Sequence, residues 1–303
     1  MLPLTGDMKT ELKYRRQKID KFYNDLYNSP LSNHETHIAY QTRYKAIVCY
    51  PYTVTPFKSS ELEEMQKGGM RLILPKMGIN RNMPRSVIYG PRILGGRQMM
   101  DQRIEQPTIN YKTTLGHMRR DDNISQALIT TMRDVQIEIG TSTPFYTLDP
   151  TKYSYGTDNT RWQYTWHMTK EFHLNMEIPD IWLPITTYPN DKCKMEVSVQ
   201  DRYYQGKNAY KLVTINQCRL YQQSFYISDL VQQDEKTVNK DYLDGTSQHI
   251  NNEVSFPTMY KPTLLQWNEW KAFIFQNFLS GPYKVTPPFG RGPLRSHART
   301  LTK

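Results

Sequence analysis

The chain has 303 residues, of which 38% are hydrophobic and 12% aromatic. This composition excludes an intrinsically disordered chain, and the length allows one large domain or two ordinary ones, each with a buried core. The net charge of +10 is uneven, because residues 1–120 contain 20 Lys and Arg against 10 Asp and Glu, whereas residues 121–303 contain 19 of each. Many mildly basic chains bind no polyanion, but an excess this localised favours nucleic acid as the partner.

Cysteines, histidines and the N-terminus exclude further classes of protein. Cys49, Cys193 and Cys218 are far apart and form no C-x-x-C pair, which is typical of free thiols in a reducing compartment. The histidines form no H-E-x-x-H motif, and no metal or cofactor is expected. Neither a membrane helix of roughly 20 apolar residues nor a signal-peptide pattern is present in the sequence. We therefore expect an intracellular protein of the cytoplasm or nucleus without a membrane partner.

Helical periodicity dominates the first 140 residues. Apolar residues recur at helical spacing from Met8 onwards, and the pattern ends before Pro30. Ser32 and Glu35 then form a capping box, in which each side chain satisfies a backbone N–H of the other residue. The box predicts a second helix, which must stop near Pro51.

A third helix is predicted from Ser60, which would form a capping box with Glu63. The adjacent glycines Gly68 and Gly69 lower its helix propensity by about 2 kcal/mol relative to alanine. Such a pair either bends the helix or lets another backbone come close.

Three more helices are predicted before residue 140. Residues 98–105 and 108–119 have helical patterns, with Pro107 in the first turn of the second piece. Asn123 is the predicted cap of an amphipathic helix that ends at Gly140.

A stretch rich in Thr, Tyr and Pro at residues 141–161 separates these helices from the second half and predicts a domain boundary. A helix is expected around 163–176, residues 194–204 are open between helix and strand, and a helix is expected from Thr214. The last helix, 264–279, follows the capping residue Thr263. One of its stripes is expected to be core, namely Trp267, Trp270, Ile274 and Phe278.

No catalytic constellation emerges from the motifs. The only Asp-Asp pair, Asp121 and Asp122, has Arg119 where a polymerase motif needs an aromatic residue, and it lies between helical segments. We interpret the pair as a helix boundary with capping carboxylates. Neither a G-x-x-x-x-G-K-[ST] loop nor a G-x-S-x-G turn occurs.

The most basic and turn-rich segment is PKMGINRNMPRSVIYGPRILGGR, residues 75–97, which has four Gly, three Pro and no acidic residue. Its Ser86–Tyr89 portion resembles a short strand. Tyr89 can stack on a base, and Gly90, Gly95 and Gly96 can let backbone N–H groups approach phosphates. The side chains that can contact a phosphate backbone are Lys76, Arg81, Arg85, Arg92 and Arg97. A solvated turn without a ligand is the alternative.

Three segments carry a family resemblance: LTGDMKTELKYRRQKI (4–19), NSPLSNHETHIAYQTRYKAIVCYPYTVTPF (28–57) and LILPKMGINRNMPRSVIYGPRILGG (72–96). In order and spacing they resemble the region that follows the catalytic palm in reverse-transcriptase-like proteins of eukaryotic retroelements. The resemblance continues in LGHMRRDD and returns in TINQCRLYQQSFYISDL and in LLQWNEWKAFIF with PPFGR. It therefore touches both ends of the chain and is weaker in the middle.

The resemblance implies a mainly α fold, with a helical thumb-like domain at 1–140 and a connection at 141–161. A mixed, mostly helical connection-like domain at 162–290 and a basic tail at 291–303 would follow. In reverse transcriptases the thumb holds the template–primer RNA/DNA duplex by its backbone. Asn80 and Arg81, with the three glycines named above, match the shared motif, whereas Arg97 and Gln98 replace a further glycine-containing turn.

Three functions stay open at this point. The resemblance implies a nucleic-acid-binding part of an RNA-directed DNA polymerase. No palm aspartate can be transferred onto this sequence, so the chain alone is not expected to polymerise. The second alternative is an interaction module that docks on an acidic partner, such as a palm-containing reverse transcriptase. The third is a metal-dependent nuclease, which would need three carboxylates to converge in space.

Overall fold

The computed structural model describes residues 8–55, 57–156, 161–174, 181–183, 188, 191–234 and 236–285. These residues are mainly helical, which confirms the predicted mainly α class. The helices are α1 (Met8–Asn28), α2 (Asn33–Ala39), α3 (Lys45–Cys49), α4 (Ser59–Lys76), α5 (Arg85–Tyr89), α6 (Gln102–Arg120), α7 (Asn123–Ile139), α8 (Pro150–Tyr153), α9 (Arg161–Glu171), α10 (Lys194–Gln200), α11 (Tyr210–Tyr221), α12 (Lys240–Asp244) and α13 (Leu264–Phe278). A two-stranded antiparallel hairpin, β1 (Leu279–Gly281) and β2 (Lys284–Val285), follows them. No described helix is both long and apolar enough to cross a membrane.

The chain divides into two compact units. Unit 1 consists of Met1–Gln126 with Asn159–Leu174, and unit 2 consists of Ala127–Asp158 with Asn175–Lys303. This division differs from the boundaries drawn on the sequence, because most of α7 groups with the C-terminal residues and α9 with the N-terminal ones.

Most helix starts follow the sequence signals. The capping box is present, with the Ser32 N–H donating to Glu35 Oε2 over 2.8 Å and the Glu35 N–H donating to Ser32 Oγ over 3.3 Å. A wider helical turn at Tyr40–Tyr44 joins α2 to α3 without a break. The third helix starts one residue earlier than predicted, and its N-terminal carboxylate is Glu61, which accepts from the Lys58 N–H over 2.8 Å. The predicted capping box of Ser60 with Glu63 is therefore wrong, because Lys58 and Glu61 occupy these positions two residues earlier.

The core of unit 1 is built on α1 and α4, which pack against each other. At their contact the Tyr23 ring of α1 lies directly over Gly69, where a Cβ atom would overlap it. The group that approaches Gly69 closely is therefore a side chain, that of Tyr23, and not another backbone. Gly68 faces open space. Leu62, Met70 and Ile73 extend the same buried surface.

Two predictions around the basic segment are corrected. Residues 85–89 form the short helix α5 rather than a strand, because the N–H groups of Val87 and Ile88 donate back to the Pro84 carbonyl. Residues 102–120 form the single helix α6, in which Pro107 is internal. Pro107 lacks the N–H that would donate to the carbonyl of Arg103, and α6 nevertheless continues through it.

The Asp-Asp pair lies at a helix boundary, as predicted. Asp121 ends α6 in the left-handed conformation, with φ of 49°, and Asp122 Oδ1 accepts from the Ser125 N–H over 2.9 Å. Asp122 therefore caps α7 where Asn123 was predicted to do so. Gly140, with φ of 76°, ends the helix as expected.

Unit 2 is organised around α11 and α13, which pack against each other. Thr263 caps α13 in a box with Gln266. The predicted stripe of Trp267, Trp270, Ile274 and Phe278 is fully buried, which confirms it as core. Residues 194–200 are helical, which resolves the open choice there. The predicted tail, residues 291–303, lies outside the described residues, as does part of the Pro-rich stretch before Lys192.

Candidate nucleic-acid interface

Residues 84–98, which we call the arginine loop, consist of α5 and a turn that folds back along it. Three backbone hydrogen bonds close the loop: Arg97 N–H to the Val87 carbonyl (2.8 Å), Gln98 N–H to the Gly90 carbonyl (2.9 Å), and Met99 N–H to the Ile88 carbonyl (3.0 Å). The side chains of Ile88 and Met99 are buried and anchor the loop in the core of unit 1. The loop is therefore held in one shape before any ligand arrives.

Three exposed arginines project from this loop, namely Arg85, Arg92 and Arg97. No acidic residue interrupts them in the surrounding segment 75–97. The Arg92 guanidinium lies 2.9 Å from Nε2 of His37 on α2. Burial, followed by the charges of Arg92, His34 and Arg97, lowers the pKa of His37. Arg92 forms no ion pair among the described residues, so its guanidinium can bind a phosphate.

Two residues predicted as phosphate contacts form hydrogen bonds within the fold. The Lys76 ammonium donates to the carbonyl of Tyr27, over 2.8 Å, and to that of Ser29, so it satisfies the C-terminus of α1. Asn80 Oδ1 accepts from the Asn82 N–H over 2.8 Å and fixes a turn. Arg81 lies exposed in that turn, and its guanidinium has no hydrogen-bond or ion-pair partner among the described residues.

The glycines of the loop also have a structural role. The N–H of Gly95 donates to the Arg92 carbonyl over 2.9 Å, and that of Gly96 donates to the Pro91 carbonyl over 3.0 Å. Gly95 is in the left-handed conformation, with φ of 79°, and a Cβ on Gly96 would overlap the Gly90 carbonyl. Since both amides are occupied, the expected direct approach of their N–H groups to phosphates is not available; the glycines let the loop cross itself closely.

Tyr89 lies at the base of the loop rather than on its outer surface. Its ring is about half-buried, and burial raises the pKa of its hydroxyl. The ring forms part of the wall of a pocket of about 510 Å³ beside the loop. Stacking on an exposed base therefore needs a base that enters this pocket.

A second surface with basic and aromatic side chains, on α1 and at Tyr50, was not predicted from the sequence. On α1 the Lys18 ammonium lies 4.5 Å from the centre of the Tyr14 ring, and the Arg15 guanidinium lies 5.7 Å from Tyr14 and 5.9 Å from Tyr50. Tyr50 is 80% exposed. The signal available in the sequence was the spacing of four between Tyr14 and Lys18, which places both on one helix face.

The described residues offer little for other chemistry. No three His, Cys, Asp or Glu side chains among them converge as metal ligands. The three cysteines are free, and burial raises the pKa of the Cys49 and Cys193 thiols to about 12. Such thiols are poor nucleophiles near neutral pH.

Comparison with protein-family models, curated proteins and solved structures found no match for this chain.

Proposed function

We propose that this chain binds nucleic acid through the arginine loop and holds a duplex mainly by its phosphates, as the thumb of a retroelement reverse transcriptase does. In this proposal the chain is a binding part that contributes no catalytic group. Its partners are an RNA/DNA duplex and a palm-containing polymerase.

One observation carries the proposal: Arg85, Arg92 and Arg97 are exposed on a loop that hydrogen bonds and buried anchors hold in one shape, with no acid in the segment. Arginine forms two parallel hydrogen bonds with a phosphate, and a fixed loop loses little conformational entropy on binding. Backbone contacts of this kind position a duplex without reading its sequence.

The test compares the wild-type chain with the triple variant Arg85→Ala, Arg92→Ala, Arg97→Ala by fluorescence anisotropy on a labelled RNA/DNA duplex. Loss of three phosphate contacts should weaken binding about a hundredfold near 0.1 M salt. Circular dichroism should show the same helix content in both chains, because all three side chains are exposed.

A matched control removes the same charge elsewhere. Arg202, Lys207 and Lys240 are exposed in unit 2, and their triple alanine variant should retain most of the affinity for duplex. An equal loss in both triple variants would mean that net charge, not the arginine loop, drives binding. Binding to an acidic protein but not to duplex would favour the docking alternative.

A further inference from the structure

The pocket of about 510 Å³ beside the arginine loop is lined by apolar, amide and charged side chains. Its apolar lining includes Met99, Met100 and the Tyr89 ring. Its volume falls within the range that small-molecule sites occupy. All of its lining residues belong to unit 1.

Two amide side chains, Gln41 and Gln98, line the same pocket. Gln41 Nε2 makes only a long contact of 3.4 Å to the Gln98 carbonyl. The Gln98 side chain has no hydrogen-bond partner among the described residues. Each amide group offers a donor and an acceptor, which is the pattern that matches the edge of a nucleobase.

The backbone at Gln98 is held in an unusual conformation. Its φ is 51°, which a residue with a long side chain adopts rarely, and the loop hydrogen bonds of Arg97, Gln98 and Met99 fix it there. Backbone strain of this kind collects where a structure positions a side chain for a ligand. Here the strained residue is one of the two that line the pocket with an amide.

Among the charged side chains that line the pocket, the Arg92 guanidinium is the one without an ion-pair partner in the described part of the chain. Asp101 is paired with Arg103 over 3.0 Å, and Glu105 is paired with Lys45 over 3.0 Å. Arg92 is the remaining charged residue of the lining, and its contact is with His37, whose lowered pKa favours the neutral ring. A phosphate at the mouth of the pocket would therefore bind to Arg92.

We propose that this pocket binds one unpaired nucleotide, with its base between the two glutamines and the apolar wall and its phosphate on Arg92. The base would come from a single-stranded end or from a free nucleotide, since both present the same chemistry. This nucleotide site shares Arg92 with the proposed duplex interface, and its other residues belong only to the pocket.

Isothermal titration calorimetry on the full chain tests it, with each of the four nucleoside 5′-monophosphates, ribose 5-phosphate and inorganic phosphate as separate ligands. At least one monophosphate should bind about tenfold more tightly than ribose 5-phosphate, since only the nucleotide adds hydrogen bonds and contacts from a base. A dinucleotide of the best base then separates the two sources. If the dinucleotide binds as tightly as the monophosphate or more tightly, the ligand is a strand end. If the dinucleotide binds more weakly, the ligand is a free nucleotide.

The double variant Gln41→Met, Gln98→Gly removes both amides while keeping the loop, because glycine accepts a positive φ without strain. It should lose the tenfold preference for the nucleotide and keep the melting temperature. Equal affinity of nucleotide and ribose 5-phosphate in the wild type, or an unchanged preference in the double variant, would overturn the proposal. Normal duplex binding by that variant would show that the duplex interface stands even when the pocket fails.

Discussion

Cationic side chains have opposite environments in the arginine loop of unit 1 and in the core of unit 2. Arg85, Arg92 and Arg97 are exposed on the loop. In unit 2 Arg219 is fully buried, where its Nε donates to Asn216 Oδ1 over 2.8 Å and its Nη2 to the Glu138 carbonyl over 3.1 Å. Lys194, also fully buried, donates to the Tyr226 carbonyl.

The difference shows that basic residues can be counted as a binding surface only after burial is known. A buried guanidinium with several carbonyl acceptors organises the backbone around it, and its removal leaves those acceptors unpaired. An exposed guanidinium contributes little to stability and keeps its donors for a partner. Lys76 lies between the two cases, because its ammonium is only partly buried and yet donates to backbone carbonyls at the end of α1.

The largest effect on stability is expected at Arg219. Its replacement by Ala leaves a cavity and unpaired acceptors in the core of unit 2, and should lower the free energy of unfolding by about 3–5 kcal/mol. Urea unfolding followed by circular dichroism measures this. Arg85→Ala is the control on the exposed side and should change stability by no more than about 0.5 kcal/mol. Equal effects of the two changes would erase the distinction between the two regions.

The fixed shape of the arginine loop can be broken at Gly96. In Gly96→Ala the new Cβ meets the Gly90 carbonyl, which should strain the loop by about 1–3 kcal/mol and weaken duplex binding. Anisotropy titration and thermal melting measure the two effects together. Gly116→Ala on α6 meets nothing within 4 Å and should leave binding unchanged. If Gly96→Ala binds duplex like the wild type, preorganisation of the loop is not needed.

Lys76 allows a comparison between a cation that is hydrogen-bonded to the backbone and the exposed arginines of the same segment. Lys76→Met removes its donors from the C-terminus of α1, and because the side chain is partly exposed the expected loss of stability is about 1 kcal/mol. Duplex affinity should fall far less than in the loop variants. Lys67→Met, on the exposed face of the same helix, serves as the control and should leave the urea midpoint almost unchanged.

A further expected effect concerns the dependence of stability on pH. Burial lowers the pKa of Lys194 to about 8 from its ordinary value near 10.5. Between these values the unfolded chain binds the proton and the folded chain does not, so this group makes stability rise with pH from about 8 towards 10. Lys194→Met should abolish that rise in a series of urea titrations. If the stability of the wild-type chain does not rise relative to that of the variant over this range, the pKa of the buried Lys194 amine is not lowered.

The structural features that were predicted correctly from the sequence depend on residues that lie close together along the chain. The capping box of Ser32 with Glu35, the end of α7 at Gly140 and the buried tryptophan stripe of α13 follow from spacing alone, because each depends on residues a few positions apart. The helix α5 was missed because Ser86–Tyr89 is too short for periodicity to separate helix from strand.

Tertiary contacts account for the remaining differences. The role of Gly69 depends on Tyr23, 46 residues earlier, and that of Lys76 on carbonyls at the end of α1. Likewise, the pocket beside the loop combines Gln41 with Gln98, and no local pattern in the sequence predicts this pairing. Within the candidate site the sequence indicated the basic segment but could not separate its exposed arginines from Lys76, whose ammonium donates to backbone carbonyls.

The salt dependence of duplex binding tests the central claim most directly. The slope of log K against log salt concentration, measured for the wild type and for the Arg85, Arg92, Arg97 triple alanine variant, counts the phosphate contacts each chain makes. We expect the variant's slope to be shallower by about 2 to 3, close to one unit for each arginine removed. Identical slopes for the two chains would show that these arginines do not contact the phosphate backbone.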